Sequence, residues 1–320
     1  MTDSLLAASR ELRNQFEQVI EQYRTDLWRY CKMLTGSPWD GEDLFQETML
    51  KAFASLAQLW HPLVPKAYLF RIASNAWIDQ CRKNKLQLDD SEEPELTAPE
   101  QPDTLEVKEA LESLIQQLPP KQLVVFLLIE VFQFTAPEVA GMIHATVGSV
   151  YATLHRARAN VKLLQQDGQT AATATSASGD RKAIVEQIIH ALNTGDLTGM
   201  LPLMSEQMHS DAAPGFQEYN KDDMYSGSMK GFAELSLQAT LRTLWGREVI
   251  VVLAQTEGDQ WQLHDISLQQ FDDGKLVLHK SYYFCKELLL AAGQELQVPV
   301  QMNKPAVTWE VGEGSAFPSK

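Results

Sequence analysis

The stretch 134–162 has the internal spacing of a helix-turn-helix, and it constrains the fold more than any other part of the chain. Ala140 is small, as two crossing helices require where they approach each other, and Val139 lies beside it on the predicted buried face. Val150 and Leu154 continue that apolar face one and two turns into a second helix. The pattern predicts two packed helices within an α-helical module.

The ends and the charge of this motif are also informative. Thr135 and Thr146 are candidate N-caps, and His144 occupies the turn position where glycine usually supplies a positive φ, which histidine tolerates. The only charged residues between positions 147 and 162 are Arg156, Arg158 and Lys162. A basic helix of this kind suits the phosphates of DNA. The alternative is a three-helix packing unit with a solvated basic end.

The composition limits the classes of function. The chain has 320 residues and a formal net charge of −15, whereas a free-standing DNA-binding protein is normally basic. We therefore expect weak DNA binding by the chain alone, and either a basic partner or restraint of the basic parts by the acidic ones. Three widely spaced cysteines indicate neither a disulfide framework nor a metal site. No apolar run predicts a membrane span or a signal peptide, so we expect a cytoplasmic location.

Two changes in composition divide the chain. The segment 87–103 is acidic and contains prolines, which is typical of a solvated linker, and the small-residue tract within 165–180 predicts a flexible tether. They separate a module at 11–86, the helix-turn-helix module at 104–164 and a third module at 181–320.

The first two modules are predicted to be helical because apolar residues recur at helical spacing in each. In the first module these residues are Leu12, Phe16, Val19, Ile20, Tyr23, Leu27, then Leu44, Thr48, Ala52, Leu56, then Leu69, Ile72 and Ala76. In the second they are Leu111, Leu114, Ile115 and Leu118, followed by an apolar run at 123–129.

The third module has a different pattern. Helical stretches at 182–192 and 231–244 are predicted to precede three strands, read from REVIVVLAQ, WQLHDISLQQF and KLVLHKSYYF. The breaks TEGD and DDG between the strands are hairpin signals. We predict an α+β domain with helices packed on an antiparallel sheet.

Taken together, the first two modules resemble the extracytoplasmic-function group of bacterial RNA polymerase sigma factors. Four motifs in order carry the resemblance: DGEDLFQETMLKAF at 40–53, PKAYLFRIASNAWIDQCRK at 65–83, LPPKQLVVFLL at 118–128 and PEVAGMIHATVGSVYATLHRAR at 137–158. The resemblance implies a protein that joins core RNA polymerase and directs it to promoter DNA, with no cofactor and no catalytic residues of its own.

The resemblance also implies roles for individual residues of the first module. Glu42, Asp43, Gln46 and Glu47 would face a basic part of the polymerase. The alternative on the residues alone is an exposed acidic turn without a partner. The next helix would hold the minus-ten promoter element as a single strand through Lys66, Tyr68, Arg71, Asn75, Trp77, Arg82 and Lys83. Trp77 could equally be a packing residue.

The second helix of the helix-turn-helix would read the minus-thirty-five element. The implied contacts are Ser149, Tyr151, His155, Arg156, Arg158 and Lys162. Many members of the family carry lysine and arginine where this chain has Tyr151 and Thr153, so the promoter sequence cannot be transferred from them.

The third module is similar to the SnoaL-like, cone-shaped (NTF2-like) fold that some members of the group carry, with SYYFCKELLLAAGQELQVPV at 281–300 the most similar segment. This resemblance implies regulation of the sigma modules in cis. The alternative is a small-molecule sensor or a vestigial isomerase-like enzyme, with His264, His279 and Tyr282 as candidate pocket residues. Because His264 and Asp265 are neighbours on one predicted strand, we expect them to face opposite sides of the sheet.

Overall fold

The computed structural model describes residues 2–56, 65–88, 117–167, 179–196, 198–212, 216–229, 235–255 and 259–304. The chain divides into two compact units, Met1–Thr173 and Ala174–Lys320. The division falls within the predicted tether, most of which lies outside the described residues, as do most of the acidic linker and the predicted helical positions Leu111, Leu114 and Ile115.

Three helices form the first module: α1 (Thr2–Thr35), α2 (Pro38–Leu56) and α3 (Pro65–Leu88). The predicted apolar faces are buried at Leu27, Leu44, Ala52 and Leu69, among others. Val19 is 52 % exposed, so its assignment to the core was wrong: the turn of the helix already buries Phe16 and Ile20 and places Val19 on the flank.

Helices α1 and α2 approach each other closely at a glycine. A Cβ on Gly41 would lie 2.6 Å from Cα of Lys32, which is shorter than any normal contact. The absence of a side chain at this position therefore allows the two helices to pack.

The second module follows with α4 (Pro120–Phe126), a π-helical turn (Leu127–Val131), α5 (Ala136–Met142) and α6 (Val147–Asp167). The predicted apolar run is confirmed as a core segment: Leu123, Val124, Val125, Leu127 and Leu128 are all at most 2 % exposed.

An aromatic cluster joins the two helical modules within the first unit. Phe70 of α3 lies with its ring centroid 5.1 Å from those of Phe132 and Phe134, which both precede α5, the first helix of the helix-turn-helix. Tyr30 of α1 stacks on Phe70 at 4.9 Å, and its hydroxyl lies 2.7 Å from Oγ of Ser74. Such ring pairs add to the burial of apolar area, so the two modules share one core.

The second unit contains helix α7 (Gly179–Thr194), a 3-10 turn (Thr198–Leu203), α8 (Lys221–Ser226) and α9 (Lys286–Leu296). Its strands are β1 (Met204–Ala212), β2 (Phe216–Glu218), β3 (Leu237–Leu244), β4 (Arg247–Gln255), β5 (Trp261–Asp272) and β6 (Lys275–Ser281). The α+β class is confirmed. The sheet has the order β2-β1-β6-β5-β4-β3, and it is mixed rather than antiparallel because β1 and β6 run parallel.

The prediction of a helix at 231–244 was wrong over its second part, because residues Leu237–Leu244 form strand β3, and positions 231–234 lie outside the described residues. Leu237, Leu241 and Leu244 stand at a spacing that also fits a helix, and pairing with β4 along the whole strand decides the conformation. The hairpin turn between β3 and β4 places Trp245 and Gly246 at positive φ. Asp273 and Gly274 do the same between β5 and β6, as the DDG signal predicts.

Candidate nucleic-acid and protein interfaces

The four residues predicted to face a polymerase lie on α2 but do not share one surface. Asp43 and Glu47 are exposed, Gln46 is half-buried and Glu42 is only 1 % exposed. The indole Nε1 of Trp28 donates to Oε2 of Glu42 at 2.7 Å, and Nε2 of Gln46 donates to its Oε1 at 2.9 Å. Glu42 is therefore part of the packing between α1 and α2.

The exposed face of α2 combines acidic and apolar groups. Asp40, Asp43 and Glu47 follow one another at three- and four-residue steps, and Leu50 lies one turn further on with 64 % of its surface exposed. Glu47 pairs with Lys51 at 2.5 Å. Sequence reasoning missed Leu50, although a leucine one turn after an exposed acid was the available signal.

Several of the residues predicted to bind the minus-ten element line one open groove of about 560 Å³. Its walls include Tyr68, Arg71 and Asn75 of α3, Lys51 of α2 and His144 of the helix-turn-helix. The guanidinium carbon of Arg71 lies 5.1 Å from the Tyr68 ring centroid. The groove therefore collects aromatic, amide and cationic groups together with one carboxylate, that of Asp79. The participation of Lys51 and His144 was not predicted, because it depends on tertiary packing.

The other residues predicted for this role lie elsewhere on α3. Lys66 has its Nζ 5.1 Å from the Phe134 ring centroid, at the junction of the two modules. Trp77 is half-buried, and its Nε1 has no hydrogen-bond acceptor among the described residues. Arg82 pairs with Asp79 at 3.0 Å, and Lys83 is exposed.

The helix-turn-helix has the local structure that its sequence predicts. At the start of α5, the backbone N–H and the hydroxyl of Thr135 both donate to Oε2 of Glu138 at 2.7 Å, and these hydrogen bonds lower the pKa of Glu138. The hydroxyl of Thr146 accepts from the backbone N–H of Ser149 at 3.2 Å and caps α6. His144 has φ +51°, so the predicted left-handed turn residue is confirmed.

Helix α6 presents all six predicted minus-thirty-five residues to solvent, while Val150, Leu154 and Ala157 are buried. Arg158 is bound within its own module, because its Nε donates to Oε1 of Glu130 at 2.9 Å. Arg156 donates from Nε to the carbonyl of Ala152 at 3.3 Å. Both arginines lie near the middle of the helix, beyond its first two turns.

The three candidate pocket residues of the second unit are not brought together. Strand β6 pairs His279 with Gln269, five residues along β5 from His264, which corresponds to roughly 16 Å. Tyr282 follows the end of β6 and is fully buried. His264 lies 2.6 Å through Nδ1 from Oε1 of Gln301, and burial lowers its pKa to about 4.

A β-bulge in β5 bears on the prediction that His264 and Asp265 face opposite sides of the sheet, because that prediction assumes regular alternation along the strand. Strand β4 pairs Val252 with Asp265 and Leu253 with Leu263, so that His264 is the extra residue and strict alternation is interrupted there. The two side chains have different partners: Asp265 accepts from the hydroxyl of Ser281 at 2.7 Å. Burial raises the pKa of Asp265 to about 6.

A row of polar side chains crosses four adjacent strands of the second unit. The register pairs Gln269 with His279, His279 with Ser210 and Ser210 with Glu218. Burial lowers the pKa of His279 to about 4 and raises the pKa of Glu218, whose carboxylate accepts from the backbone and hydroxyl of Ser228 at 2.9 and 2.7 Å. Sequence alone did not indicate this row, because it arises from strand order.

The described residues contain no cluster of three or more histidine, cysteine or carboxylate side chains that could hold a metal ion. Among the same residues, none of the helices is both long and apolar enough to cross a membrane.

The fold and these surfaces define a protein with a helix-turn-helix and an acidic helical face. Comparison with known families is consistent with this class: residues 19–87 match Sigma-70 region 2 and residues 108–161 match Sigma-70, region 4. These two segments are thus similar to two regions of the sigma-70 family of RNA polymerase sigma factors, and the relatives that the chain resembles include sigma factors of the extracytoplasmic-function (ECF) type.

Two relatives illustrate the similarity. The ECF sigma factor SigG of Mycobacterium tuberculosis is 26 % identical over 226 residues, which cover 62 % of this chain and 61 % of SigG. SigM of Bacillus subtilis is 26 % identical over 157 residues, which cover 48 % of this chain and 96 % of SigM. The chain thus matches less than two thirds of the length of SigG.

Three solved structures show partial similarity. RpoE of Bartonella quintana, in complex with the anti-sigma factor NepR, is 24 % identical and covers 48 % of this chain and 97 % of its own, with a TM-score of 0.40. SigJ of M. tuberculosis is 18 % identical and covers 82 % and 95 %, with a TM-score of 0.32. An NTF2-like protein of Cytophaga hutchinsonii is 14 % identical and covers 36 % and 94 %, with a TM-score of 0.26.

Proposed function

We propose that this chain is a sigma factor that binds core RNA polymerase, recognises two promoter elements and is regulated in cis by its C-terminal unit. It carries out no chemistry of its own. The observation that carries the proposal is the combination, in one chain with similarity to two sigma-70 regions, of an acidic α2 surface, the groove along α3 and an exposed α6.

Polymerase binding is assigned to the exposed face of α2. Asp40, Asp43 and Glu47 can pair with basic side chains across an interface, and Leu50 supplies apolar area beside them. Glu42 supports this face from inside by fixing α2 against Trp28. Such a contact would supply the affinity for DNA that an acidic chain lacks alone.

Promoter binding is divided between two surfaces. The groove lined by Tyr68, Arg71 and Asn75 offers stacking and phosphate contacts to an unpaired minus-ten strand. Helix α6 offers its exposed side to the major groove of the minus-thirty-five element.

A binding experiment tests this function against a repressor that acts without polymerase. Gel shifts and run-off transcription with full-length chain, with and without core polymerase, should give a promoter complex and a defined transcript only when core is present. Tight binding to duplex promoter without core would favour the repressor.

Regulation in cis is supported by charge and by the tether. Acidic residues outnumber basic ones after position 181, and a tether keeps the unit at high effective concentration near the basic side chains of the first unit. Truncation after Gln165 should change transcription from the target promoter. Equal transcription by the truncated and full-length chains would remove this part of the proposal.

The second candidate role of the C-terminal unit is small-molecule sensing, and the polar row Gln269–His279–Ser210–Glu218 favours it. A neutral imidazole and a carboxyl with a raised pKa can exchange hydrogen bonds with an uncharged polar ligand. A ligand screen by thermal shift, repeated with His279→Phe, distinguishes this role: binding that the substitution abolishes supports it.

A further inference from the structure

The surface of α6 that would enter the major groove is uncharged. Its first two turns expose Val147 (39 %) and Tyr151 (59 %), which lie one turn apart on the same side of the helix. Ser149 and Ala152 are also exposed, and a Cβ on Gly148 would meet no atom within 4 Å. Apolar groups therefore dominate this end of the helix.

The two arginines of α6 are directed to their own module. Arg158 binds Glu130, and Arg156 donates to the Ala152 carbonyl and lies 3.4 Å from the Thr153 hydroxyl. In helix-turn-helix proteins the N-terminal residues of the second helix contact the base edges. That end of α6 carries no arginine, lysine, asparagine or glutamine, the side chains that form bidentate hydrogen bonds with guanine or adenine.

We infer that α6 reads the minus-thirty-five element mainly through the C5-methyl groups of thymine, with Tyr151 and Val147 as the specificity-determining residues. The thymine methyl is the apolar group that the major groove presents, and apolar side chains recognise it by contact. Gly148 allows the backbone of the helix to approach the base edges. This inference rests on the proposed sigma function, and it names the class of base that the function requires.

Thymine methyl contacts can be tested by removing the methyl from the DNA. Holoenzyme formed from the full chain and core polymerase first selects a promoter from a library randomised over the minus-thirty-five element. Each thymine of the selected element is then replaced by deoxyuridine, which preserves base pairing and removes only the methyl. We expect transcription to fall about three- to fivefold at one or more positions, as the loss of one buried methyl predicts.

The protein variants identify the residue responsible. Tyr151→Ala should weaken binding to the thymine promoter and make the enzyme insensitive to deoxyuridine, whereas Tyr151→Phe should remain sensitive. Tyr219→Ala is a matched control, because Tyr219 is also strongly exposed (65 %) but lies in the second unit. Unchanged melting of Tyr151→Ala would show that the variant is folded.

The outcomes separate this inference from the proposed function. A promoter that is selected and transcribed but is indifferent to deoxyuridine and to Tyr151→Ala would overturn the inference and leave the sigma function intact. Failure of the holoenzyme to select any promoter would overturn both.

Discussion

Trp28 and Glu42 form a buried hydrogen bond that holds α1 against α2. We expect Glu42→Ala to destabilise the helical unit by about 1–3 kcal/mol, because the indole N–H would lose its acceptor in a buried position. Glu42→Gln keeps an acceptor and should be the milder change. Urea unfolding followed by tryptophan fluorescence measures both, and equal stability of Glu42→Ala and the natural chain would contradict this role.

Substitution of the neighbouring exposed acids, Asp43 and Glu47, should affect polymerase binding rather than stability. The double substitution Asp43→Lys and Glu47→Lys should weaken core polymerase binding at least about tenfold while changing stability by less than about 1 kcal/mol, because exposed charges contribute little to folding. Glu17→Lys on α1 makes an exposed charge reversal outside the proposed face and is the control. A pull-down at several salt concentrations is the measurement, and equal loss of binding in the control would argue against a specific face.

Two histidines with lowered pKa values predict how the stability of the second unit depends on pH. His264 and His279 have pKa values lowered to about 4. In the unfolded chain these imidazoles bind protons below about pH 6.5, whereas in the folded unit they stay neutral down to about pH 4. The free energy of unfolding should therefore fall as pH drops from 6.5 to 4, by on the order of 3 kcal/mol for each imidazole. The pKa of Asp265 is raised to about 6, so protonation of this carboxyl should increase the stability of the folded unit as the pH falls through the same range.

Thermal melting between pH 4 and 7 measures this dependence. We expect His279→Gln to flatten the curve and Asp265→Asn to steepen it. A pH profile that His279→Gln leaves unchanged would show that this imidazole is not held neutral by burial.

Two glycine-to-alanine substitutions in helices should have opposite effects on stability, because only Gly41 lies where α1 and α2 pack closely. Gly41→Ala should destabilise the helical unit by at least about 2 kcal/mol, because the new methyl would lie 2.6 Å from Cα of Lys32. Gly141→Ala is the matched control: it lies in α5 with no atom within 4 Å of the added carbon, so helix propensity should stabilise it by up to about 1 kcal/mol. Chemical unfolding compares the two, and equal effects would contradict the close approach.

An element could be predicted from the sequence where its capping, turn and apolar residues favour the same structure as its tertiary packing. The helix-turn-helix is such a case, because Thr135, His144 and Thr146 satisfy its ends and its turn whatever surrounds them. Strand β3 is the opposite case: its leucines fit a helix, and only the adjacent β4 makes it a strand. The parallel pairing of β1 with β6 joins segments far apart in the chain and left no local signal.

The candidate sites, too, could be predicted where local sequence signals suffice and could not where they depend on tertiary packing. The position of α2, α3 and α6 in the chain indicated which helices carry the candidate sites, and the six residues predicted on α6 are all exposed, although exposed Val147 was not among them. The sequence could not show that Glu42 is buried, that Leu50 is exposed or that His144 lines the groove, because each depends on the packing of one helix on another.

The two modules of the helical unit pack against each other, and this packing limits the distance that their DNA-binding surfaces can span. In the proposed function the two modules bind promoter elements that are named for positions about 25 base pairs apart, or roughly 85 Å along B-DNA. In the structure Phe70 of α3 contacts Phe132 and Phe134 directly, and α6, with 21 residues, is only roughly 30 Å long. We therefore predict that the two modules separate when both elements are bound.

Energy transfer between dyes on α1 and α6 measures this separation. With labels at Gln22→Cys and Ala159→Cys in a Cys81→Ser background, the dye distance should increase on forming the promoter complex. Phe132→Ala should favour the separated form and increase transcription at limiting sigma concentration, although it lowers the stability of the free unit. An unchanged distance in the promoter complex would show that the modules stay joined.

The most direct test of the central claim is run-off transcription with purified core polymerase, the full-length chain and the chain truncated after Gln165. We predict a transcript with a defined start site from a selected promoter, present only when core and chain are combined and altered in amount by the truncation. If core polymerase binds neither form of the chain and initiates no transcript with either, the proposed sigma function is contradicted.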